Sequence, residues 1–270
     1  MREYGLHEQF YFQQKILKNK QPSKDNFSKQ SDLYVKFRPN YPQELYDFIM
    51  SRVVKKEMAL DCGTGNGQAA SILAAYFKKV IAIDISSNQL KNAVKKDNIE
   101  YIISPVEKTP FKNDSFDLIT VATAAHWFQF DAFYNEMYRI GKDGSIFSCW
   151  AYSLLQTNEP ELNDLLKSFY FETLKGYWDK ERKLVEEEYR TLPFPFEEIE
   201  NPGFSNRLEW SFAELEGYLN TWSAVQHYIK KNTANPVSDL MRVIHTKFRP
   251  NLSLTVSLPV FMRVGVIQKK

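Results

Sequence analysis

Three closely spaced glycines follow a short apolar run in the first quarter of the sequence. The segment A-L-D-C-G-T-G-N-G places them at Gly63, Gly65 and Gly67, directly after Asp61 and Cys62. Glycine is needed where a turn brings backbone N–H groups close to a ligand, because a Cβ atom would block the approach and the backbone must often adopt a positive φ. The segment therefore predicts a ligand-binding turn between a strand and a helix.

The acid beside this turn indicates the charge of the ligand. Nicotinamide dehydrogenases have G-x-G-x-x-G and bind an anionic pyrophosphate there, whereas this chain has G-x-G-x-G. We expect Asp61 at the strand end, facing the ligand, where its carboxylate would repel a pyrophosphate and attract a cationic group. About twenty residues later, Asp84 ends a second apolar run, at the separation typical of an acid that binds ribose hydroxyls. The alternative is that Asp84 caps a helix beginning near Ser86.

The turn belongs to an alternating series of strand and helix patterns. Short apolar runs, typical of parallel strands whose two faces are both covered by helices, lie at 58–62, 80–84, 101–103, 116–121 and 145–151. Helical patterns lie at 42–52, 68–76, 88–95 and 132–139. This order predicts an α/β fold with a doubly wound, mostly parallel sheet, in which the turn and the acids lie at the carboxyl ends of the strands.

The series defines a core at residues 32–151, with different patterns on either side. Residues 1–31 contain a helical pattern at 8–18 and then a polar, lysine-rich linker. Residues 152–248 are expected to form a mainly helical cap, with helical patterns at 162–174, 180–189, 212–228 and 237–248 and a strand at 207–210. Residues 249–270 are β-rich, and we expect C-terminal strands here to complete the sheet.

Composition excludes several classes of protein. The 270 residues are 43% hydrophobic, enough for a large core, which argues against a disordered or fibrous chain. The formal net charge of +2 is too small to indicate a nucleic acid partner. No apolar run reaches the ~18 residues that favour a membrane span, and the first residues are polar, so we expect a cytoplasmic protein without a membrane segment. Cys62 and Cys149 lie in apolar runs and are interpreted as buried thiols.

Four motifs together resemble those of class I methyltransferases that use S-adenosylmethionine (SAM). They are D-x-G-x-G-x-G at 61–67, V-I-A-I-D-I-S at 80–86, V-E-K-T-P-F at 106–111 and F-D-L-I-T-V-A-T-A-A-H-W-F at 116–128. Weaker likeness at 34–42, 124–128 and 221–228 extends to a subgroup of the type 11 family that includes trans-aconitate methyltransferases. The resemblance implies a Rossmann-like, seven-stranded sheet and SAM as the methyl donor, with S-adenosylhomocysteine as its product.

The resemblance also implies which residues bind the cofactor. Gly63 and Gly65 would line the methionine part, Asp84 would hold the ribose, and Val106 and Glu107 would flank the adenine. The full set of expected cofactor contacts is Tyr34, Arg38, Asp61, Gly63, Thr64, Gly65, Asp84, Ile85, Val106, Glu107 and Ala122. Relatives often carry an acid or amide at the position of Pro105, where its side chain can bond the adenine. A proline side chain cannot form this hydrogen bond, so adenine recognition is expected to rely on backbone and packing.

The methyl acceptor is expected near the residues that follow the fourth strand. His126 lies there, as the candidate catalytic residue that would bind a substrate carboxylate or act as a base on a hydroxyl; alternatively it orients the loop or lies against the cofactor. Arg38 has two alternative roles: it pairs with the SAM carboxylate, or it is a solvated residue on the surface. The aromatic candidates also suit a core position. The expected acceptor contacts are His126, Trp127, Trp150, Tyr152, Trp222 and His227.

These residues predict a methyltransferase that acts on a small molecule, with a carboxylic acid among the candidate acceptors. Methyl transfer from a sulfonium is an in-line displacement that needs alignment and exclusion of water, and no metal site is expected. A protein or nucleic acid acceptor, or a SAM-binding protein without activity, are the alternatives. A monomer or homodimer is expected. Nucleic acid is disfavoured because the fourth strand is not followed by an Asn/Asp-Pro-Pro-aromatic motif.

Overall fold

The computed structural model describes residues 37–249 and 252–269. The helix expected at 8–18, the linker after it and Tyr34 lie outside the described residues. The first described helix, α1 (Gln43–Met50), follows Pro42, whose φ of −63° suits a residue that leads into a helix. It buries Leu45, Ile49 and two other side chains along one face against the sheet. Residues 37–42 therefore lead directly into a helix that packs on the core.

Five parallel strands form the first part of the sheet. They are β1 (Met58–Cys62), β2 (Lys79–Asp84), β3 (Ile99–Ile103), β4 (Phe116–Ala122) and β5 (Gly141–Tyr152), connected through α2 (Gln68–Leu73), α3 (Ser87–Lys91) and α4 (Phe130–Ile140). Their order across the sheet is β3-β2-β1-β4-β5. The chain thus changes direction across the sheet between β1 and β4, the point at which ligands bind in open α/β sheets.

The last strand, β9 (Leu254–Ile267), lies inside the sheet and not at its edge. It runs antiparallel to β5 on one side, where the short β6 (Gln156–Thr157) continues the pairing. On the other side it pairs with β7 (Glu197–Glu198) and β8 (Phe204–Trp210), since Val260 is opposite both Tyr152 and Phe204. Among the described residues, nine strand segments therefore occupy seven positions, as expected, but the β-rich C-terminal region is one long strand.

The remaining helices belong to the region that was expected to form a cap. They are α5 (Pro160–Ser168), which continues into a π-helical turn at Phe169–Thr173, α6 (Arg182–Glu186), α7 (Phe212–Asn220), α8 (Ser223–Asn232) and α9 (Pro236–Lys247). The single helix expected at 212–228 is in fact two, because Trp222 is extended between them. The region also supplies β6, β7 and β8, so it is part of the sheet as well as a cover. No helix in the described ranges is both long and apolar enough to cross a bilayer.

Two apolar cores cover the two faces of the sheet. One contains α1, α2 and the aromatic side chains of the cap, and the other contains α4 and the segment around Tyr189. Alternate side chains of β5 contribute to both cores. Trp150 belongs to the first core, and Phe147 and Cys149 belong to the second. Both cysteines are fully buried and unpaired, which confirms their interpretation as core thiols.

Candidate functional site

The three glycines form the turn between β1 and α2, and all have positive φ, at 63°, 56° and 80°. A Cβ atom on Gly63 would lie 2.7 Å from the Cβ of Ala124, and one on Gly67 would clash with the hydroxyl of Tyr101. On Gly65, by contrast, a Cβ atom would meet no heavy atom within 4 Å. The turn thus packs against protein at its two ends and faces open space at its centre. That open space is what a bound cofactor needs.

Asp61 lies beneath the turn. Its carboxylate is fully buried and accepts hydrogen bonds from the hydroxyls of Thr64 at 2.6 Å and Thr120 at 2.8 Å. Burial raises the pKa of Asp61 to about 6, although these two hydrogen bonds lower it. In contrast to the expectation, the Asp61 side chain is 0% exposed and does not face the cleft, because it is directed inward to its hydrogen-bond partners on the glycine turn and β4. Thr64, also expected to contact the cofactor, is buried in the same contact.

Asp84 lies at the carboxyl end of β2, beside the centre of the turn. One carboxylate oxygen accepts a hydrogen bond from the Gly65 N–H at 2.9 Å, and the other accepts one from the Ser86 N–H at 2.8 Å. The residue that caps α3 is Ser86, whose hydroxyl accepts a bond from the Gln89 N–H at 3.4 Å. Because each carboxylate oxygen has two lone pairs, Asp84 is a strong acceptor beside the centre of the turn, of the kind that suits ligand hydroxyls.

Two exposed apolar side chains flank Asp84. Ile85 is 39% exposed and Ile103, which ends β3 opposite Asp84, is 43% exposed. Val106, by contrast, is buried in the core, and Glu107 accepts a hydrogen bond from the Gln129 N–H at 3.1 Å. The apolar surface available to a flat ring is therefore formed by Ile85 and Ile103. Ile103 was missed because the end of a short strand gives no signal of exposure.

The segment before α1 is fixed across the ends of β4 and β5. The Tyr41 hydroxyl lies 2.7 Å from the hydroxyl of Thr123, and the Tyr152 hydroxyl donates to the carbonyls of Pro39 and Asn40. Thr123 follows the half-buried Ala122 at the end of β4 and has a φ of 54°, a strained value for a β-branched residue. Such strain is characteristic of functional sites. No sequence pattern indicated Thr123.

Arg38, in the same segment, extends towards the cap. Its guanidinium lies 5.3 Å from the ring centroid of Tyr218, and one of its nitrogens lies 3.5 Å from the carbonyl oxygen of Thr221. The Arg38 carbonyl accepts a bond from the Gln68 amide, at the start of α2, at 3.3 Å. The side chain is thus not a solvated surface group, and its described contacts are with the cap. It joins the segment before α1 to α7.

His126 lies in a 3-10 turn, Ala125–Trp127, that follows β4. It is only 5% exposed, and its Nδ1 is 3.0 Å from the hydroxyl of the fully buried Tyr189. Burial, and then the charge of Arg182, lower the pKa of His126 to about 3, so the imidazole is neutral at physiological pH. These contacts fit the orienting role better than that of a base. Tyr189 was missed because it is distant in sequence and within an expected helix.

The other expected acceptor contacts separate into two groups. Trp127 is half-buried with its ring 4.8 Å from that of His126, so it remains at the strand end. Trp150 is fully buried against Tyr41 and Tyr46 and lines no cleft, because α1 covers it. Tyr152 is occupied in holding residues 39–40.

Trp222 and His227 belong to the interior of the cap. Trp222 is buried among aromatic rings, with Trp178 at 5.6 Å and Tyr170 at 5.6 Å between centroids. His227 donates a hydrogen bond from Nδ1 to the carbonyl of Tyr177 at 2.8 Å. The structure therefore does not bring these two side chains together with His126 and Trp127, because cap packing uses them.

A single set of contacts joins the glycine turn to the loop after β4. The Cβ position of Gly63 is 2.7 Å from Ala124 and 3.3 Å from the ring of Phe128, the residues on either side of the His126 turn. The turn, Asp84, Thr123 and His126 thus lie at one edge of the sheet, at the ends of β1, β2 and β4. This arrangement can bind a nucleoside with a cationic chain and hold a second molecule beside it.

Comparisons with known proteins agree with this geometry. A family model described as a methyltransferase domain matches residues 60–149. A Dictyostelium discoideum protein named as a methyltransferase is 36% identical over 253 residues, which cover 91% of this chain and 95% of that protein. A solved type II methyltransferase structure from Anaeromyxobacter dehalogenans has a TM-score of 0.79 and 34% identity, and the match covers 87% of this chain and 100% of that one.

A Saccharomyces cerevisiae protein named as the S-adenosylmethionine-dependent methyltransferase CRG1 is similar over a shorter region. It is 30% identical over 158 residues, 55% of this chain and 52% of that protein. Residues 60–149, which the family model matches, include the glycine turn, Asp84 and the end of β4. This chain therefore belongs to the methyltransferase family, as a class I enzyme with a Rossmann-like fold that uses S-adenosylmethionine as its methyl donor.

Proposed function

We propose that this enzyme methylates a small molecule held between the strand ends and the cap. The observation that carries the proposal is that other parts of the chain pack on this region. His126 Nδ1 contacts the Tyr189 hydroxyl at 3.0 Å, and the Tyr152 hydroxyl donates hydrogen bonds to the carbonyls of Pro39 and Asn40. Both aromatic side chains are buried. A protein or nucleic acid acceptor would need an open surface at this edge, whereas a small molecule fits beneath a cover that excludes water.

The residues of this edge also suit the cofactor. Gly65 faces open space, Asp84 offers carboxylate lone pairs to the ribose hydroxyls, and Ile85 and Ile103 offer apolar surface to the adenine. Pro105 has no side-chain hydrogen-bonding group, which agrees with recognition of adenine through packing. When bound, SAM supplies an electrophilic methyl group. The role of the protein's own residues is to hold SAM and the methyl acceptor in line, since orientation contributes much of the rate.

The state of His126 favours an acceptor that needs no deprotonation. A base with a pKa of about 3 is too weak to remove a proton from an alcohol. A carboxylate is already ionised at neutral pH and can accept the methyl group directly. We therefore propose a carboxylic acid as the acceptor, with methylation at a carboxylate oxygen. In this proposal His126 and Tyr189 shape the pocket, and membership of the subgroup with trans-aconitate methyltransferases stays a prediction.

The test is a transfer experiment with [methyl-³H]SAM and a cell extract separated by ultrafiltration. We expect label to enter the low-mass fraction and to be released by mild alkali, as esters are. An Asp84→Asn variant, with its reduced SAM affinity, should transfer less label than the wild type at the same SAM concentration. Label found only in protein or nucleic acid would contradict the proposal and support the other acceptor classes. Binding of SAM with no transfer to any fraction would support a non-catalytic role.

A further inference from the structure

Arg182 is held by two aromatic rings on the cap side of the candidate site. Its Nε donates a hydrogen bond to the Tyr170 hydroxyl at 3.0 Å. The guanidinium carbon lies 5.8 Å from the ring centroid of Tyr170 and 5.1 Å from that of Trp178. Stacking on aromatic faces and the Nε bond fix the plane of the guanidinium. The orientation of Arg182 is therefore set before any ligand binds.

The charge of this half-buried side chain is not balanced by a paired acid. Glu186, on the same helix, accepts its hydrogen bond from Tyr170 at 2.9 Å. Glu181 precedes Arg182, and one of its oxygens is buried without a partner. Within the described ranges, the Arg182 guanidinium forms no ion pair with a carboxylate. The two outer nitrogens also make no hydrogen bond to any described residue. A partly buried cation in this state favours an anionic ligand.

Arg182 also lies close to the loop after β4. Its helix, α6, packs on the 3-10 turn that contains His126. Tyr189, which follows the same helix, contacts His126 directly at 3.0 Å. The positive charge of Arg182 contributes, after burial, to lowering the pKa of His126. This loop packs against Gly63, so α6 connects Arg182 through the His126 turn to the edge of the sheet that carries the glycine turn.

We propose that Arg182 is a specificity-determining residue that binds a planar or tetrahedral oxyanion of the methyl acceptor. This inference rests on the proposed function, since it assumes a small acceptor beneath the cap. The two outer nitrogens can donate parallel hydrogen bonds to two oxygens of a carboxylate or a phosphate. A neutral amide cannot accept in the same way without leaving part of the guanidinium unsatisfied. The enzyme therefore selects acids over their neutral analogues.

The test measures binding of matched probes to the protein saturated with S-adenosylhomocysteine. Two series share a body and differ in one group: benzoate, phenylphosphonate and benzamide; and hexanoate, pentylphosphonate and hexanamide. Calorimetry on the wild type, Arg182→Gln and Arg182→Lys gives the affinities. The control is Arg190→Gln, which removes an exposed arginine that pairs with Glu188 on the surface of the same segment. Affinity for S-adenosylhomocysteine verifies that each variant is folded.

We expect the wild type and Arg190→Gln to bind at least one anion about tenfold or more tightly than its amide. Arg182→Gln should bring the two affinities within about twofold, and Arg182→Lys should retain part of the difference through its charge. The tighter of carboxylate and phosphonate identifies the anion. Equal binding of acids and amides by the wild type, or a preference that persists in Arg182→Gln, would overturn the inference.

Failure of the proposed function and failure of the Arg182 inference give different experimental results. If label from SAM entered only macromolecules while Arg182 still discriminated between the probes, the small-molecule proposal would fail and the anion site would stand. If small molecules were labelled and Arg182→Gln kept the preference of the wild type, the role of Arg182 alone would fail.

Discussion

The Asp84 carboxylate accepts a hydrogen bond from the Gly65 N–H at 2.9 Å, which ties the end of β2 to the centre of the glycine turn. The acid proposed to bind the ribose therefore also fixes the peptide that faces the open side of the turn. Its second oxygen holds the Ser86 N–H, so the same side chain orients the start of α3. Substitution of Asp84 consequently changes the shape of the turn as well as removing a ligand contact.

Replacement of Asp84 should separate these two roles. Asp84→Asn keeps one acceptor oxygen, whereas Asp84→Ala keeps none and leaves two backbone N–H groups without their partner. We expect both to weaken SAM binding by about tenfold or more, since hydrogen bonds to a charged group contribute about 1.5–3 kcal/mol. Only the alanine variant should also lower the free energy of unfolding clearly. Calorimetry and urea unfolding measure the two effects. The exposed Asp97→Asn is the control, and unchanged SAM affinity in Asp84→Ala would contradict the assignment.

The glycines of the turn should respond differently to alanine. A methyl group on Gly65 meets nothing within 4 Å and costs only the strain of a positive φ, about 1 kcal/mol. It occupies the space assigned to the cofactor, so Gly65→Ala should fold but lose SAM affinity. Gly67→Ala, in which the methyl group meets the Tyr101 hydroxyl, should lose about 2–4 kcal/mol of stability. Thermal unfolding with and without SAM distinguishes them; a SAM-induced stabilisation of Gly65→Ala equal to that of the wild type would count against the site.

Much of the candidate site at the carboxyl ends of the strands could be predicted from local sequence signals. The glycine turn, Asp84 and the strands near them depend on short apolar runs and on residues with special backbone requirements, which act over a few positions. The contacts of Trp150, Trp222 and Arg38 depend on α1 and α7, which come from distant parts of the chain. No glycine or proline lies at the break between α7 and α8, so no local sequence signal indicates that the helix ends there. Such features are decided by tertiary packing, which a single sequence does not display.

The buried carboxylate of Asp61 should produce a measurable dependence of stability on pH. Its pKa is raised from 3.8 to about 6, so the folded state holds the proton more tightly than the unfolded state. Its contribution is complete below the unfolded pKa and is lost as pH rises through about 6. We expect the difference in unfolding free energy, Asp61→Asn minus wild type, to rise by about 2 kcal/mol from pH 4 to 7. A difference that stays constant over this range would show that the carboxylate is hydrated.

His126 should remain neutral across the physiological range. Its pKa is lowered from 6.5 to about 3, so its contribution to stability is present above the unfolded value and is lost as pH falls towards 3. In NMR titrations between pH 5 and 8 its ring resonances should not shift, and His126→Asn, which retains a nitrogen near the Nδ1 position, should be less sensitive to acid than the wild type. Comparison of this variant with the wild type assigns the resonances. A titration near pH 6.5 would restore the role of a base.

The position of β9 affects how the chain reaches its native state. This strand comes after every other described element, yet it lies between β5 and β8 and supplies hydrogen bonds to both. Until residues 254–267 are present, β5 and β8 expose unpaired edges with apolar side chains, a surface that promotes aggregation. A chain emerging from the ribosome carries the glycine turn and its acids long before the sheet that supports them can close. Chaperone protection during synthesis is therefore expected to matter more for this fold than for one in which strands pair in the order they are made.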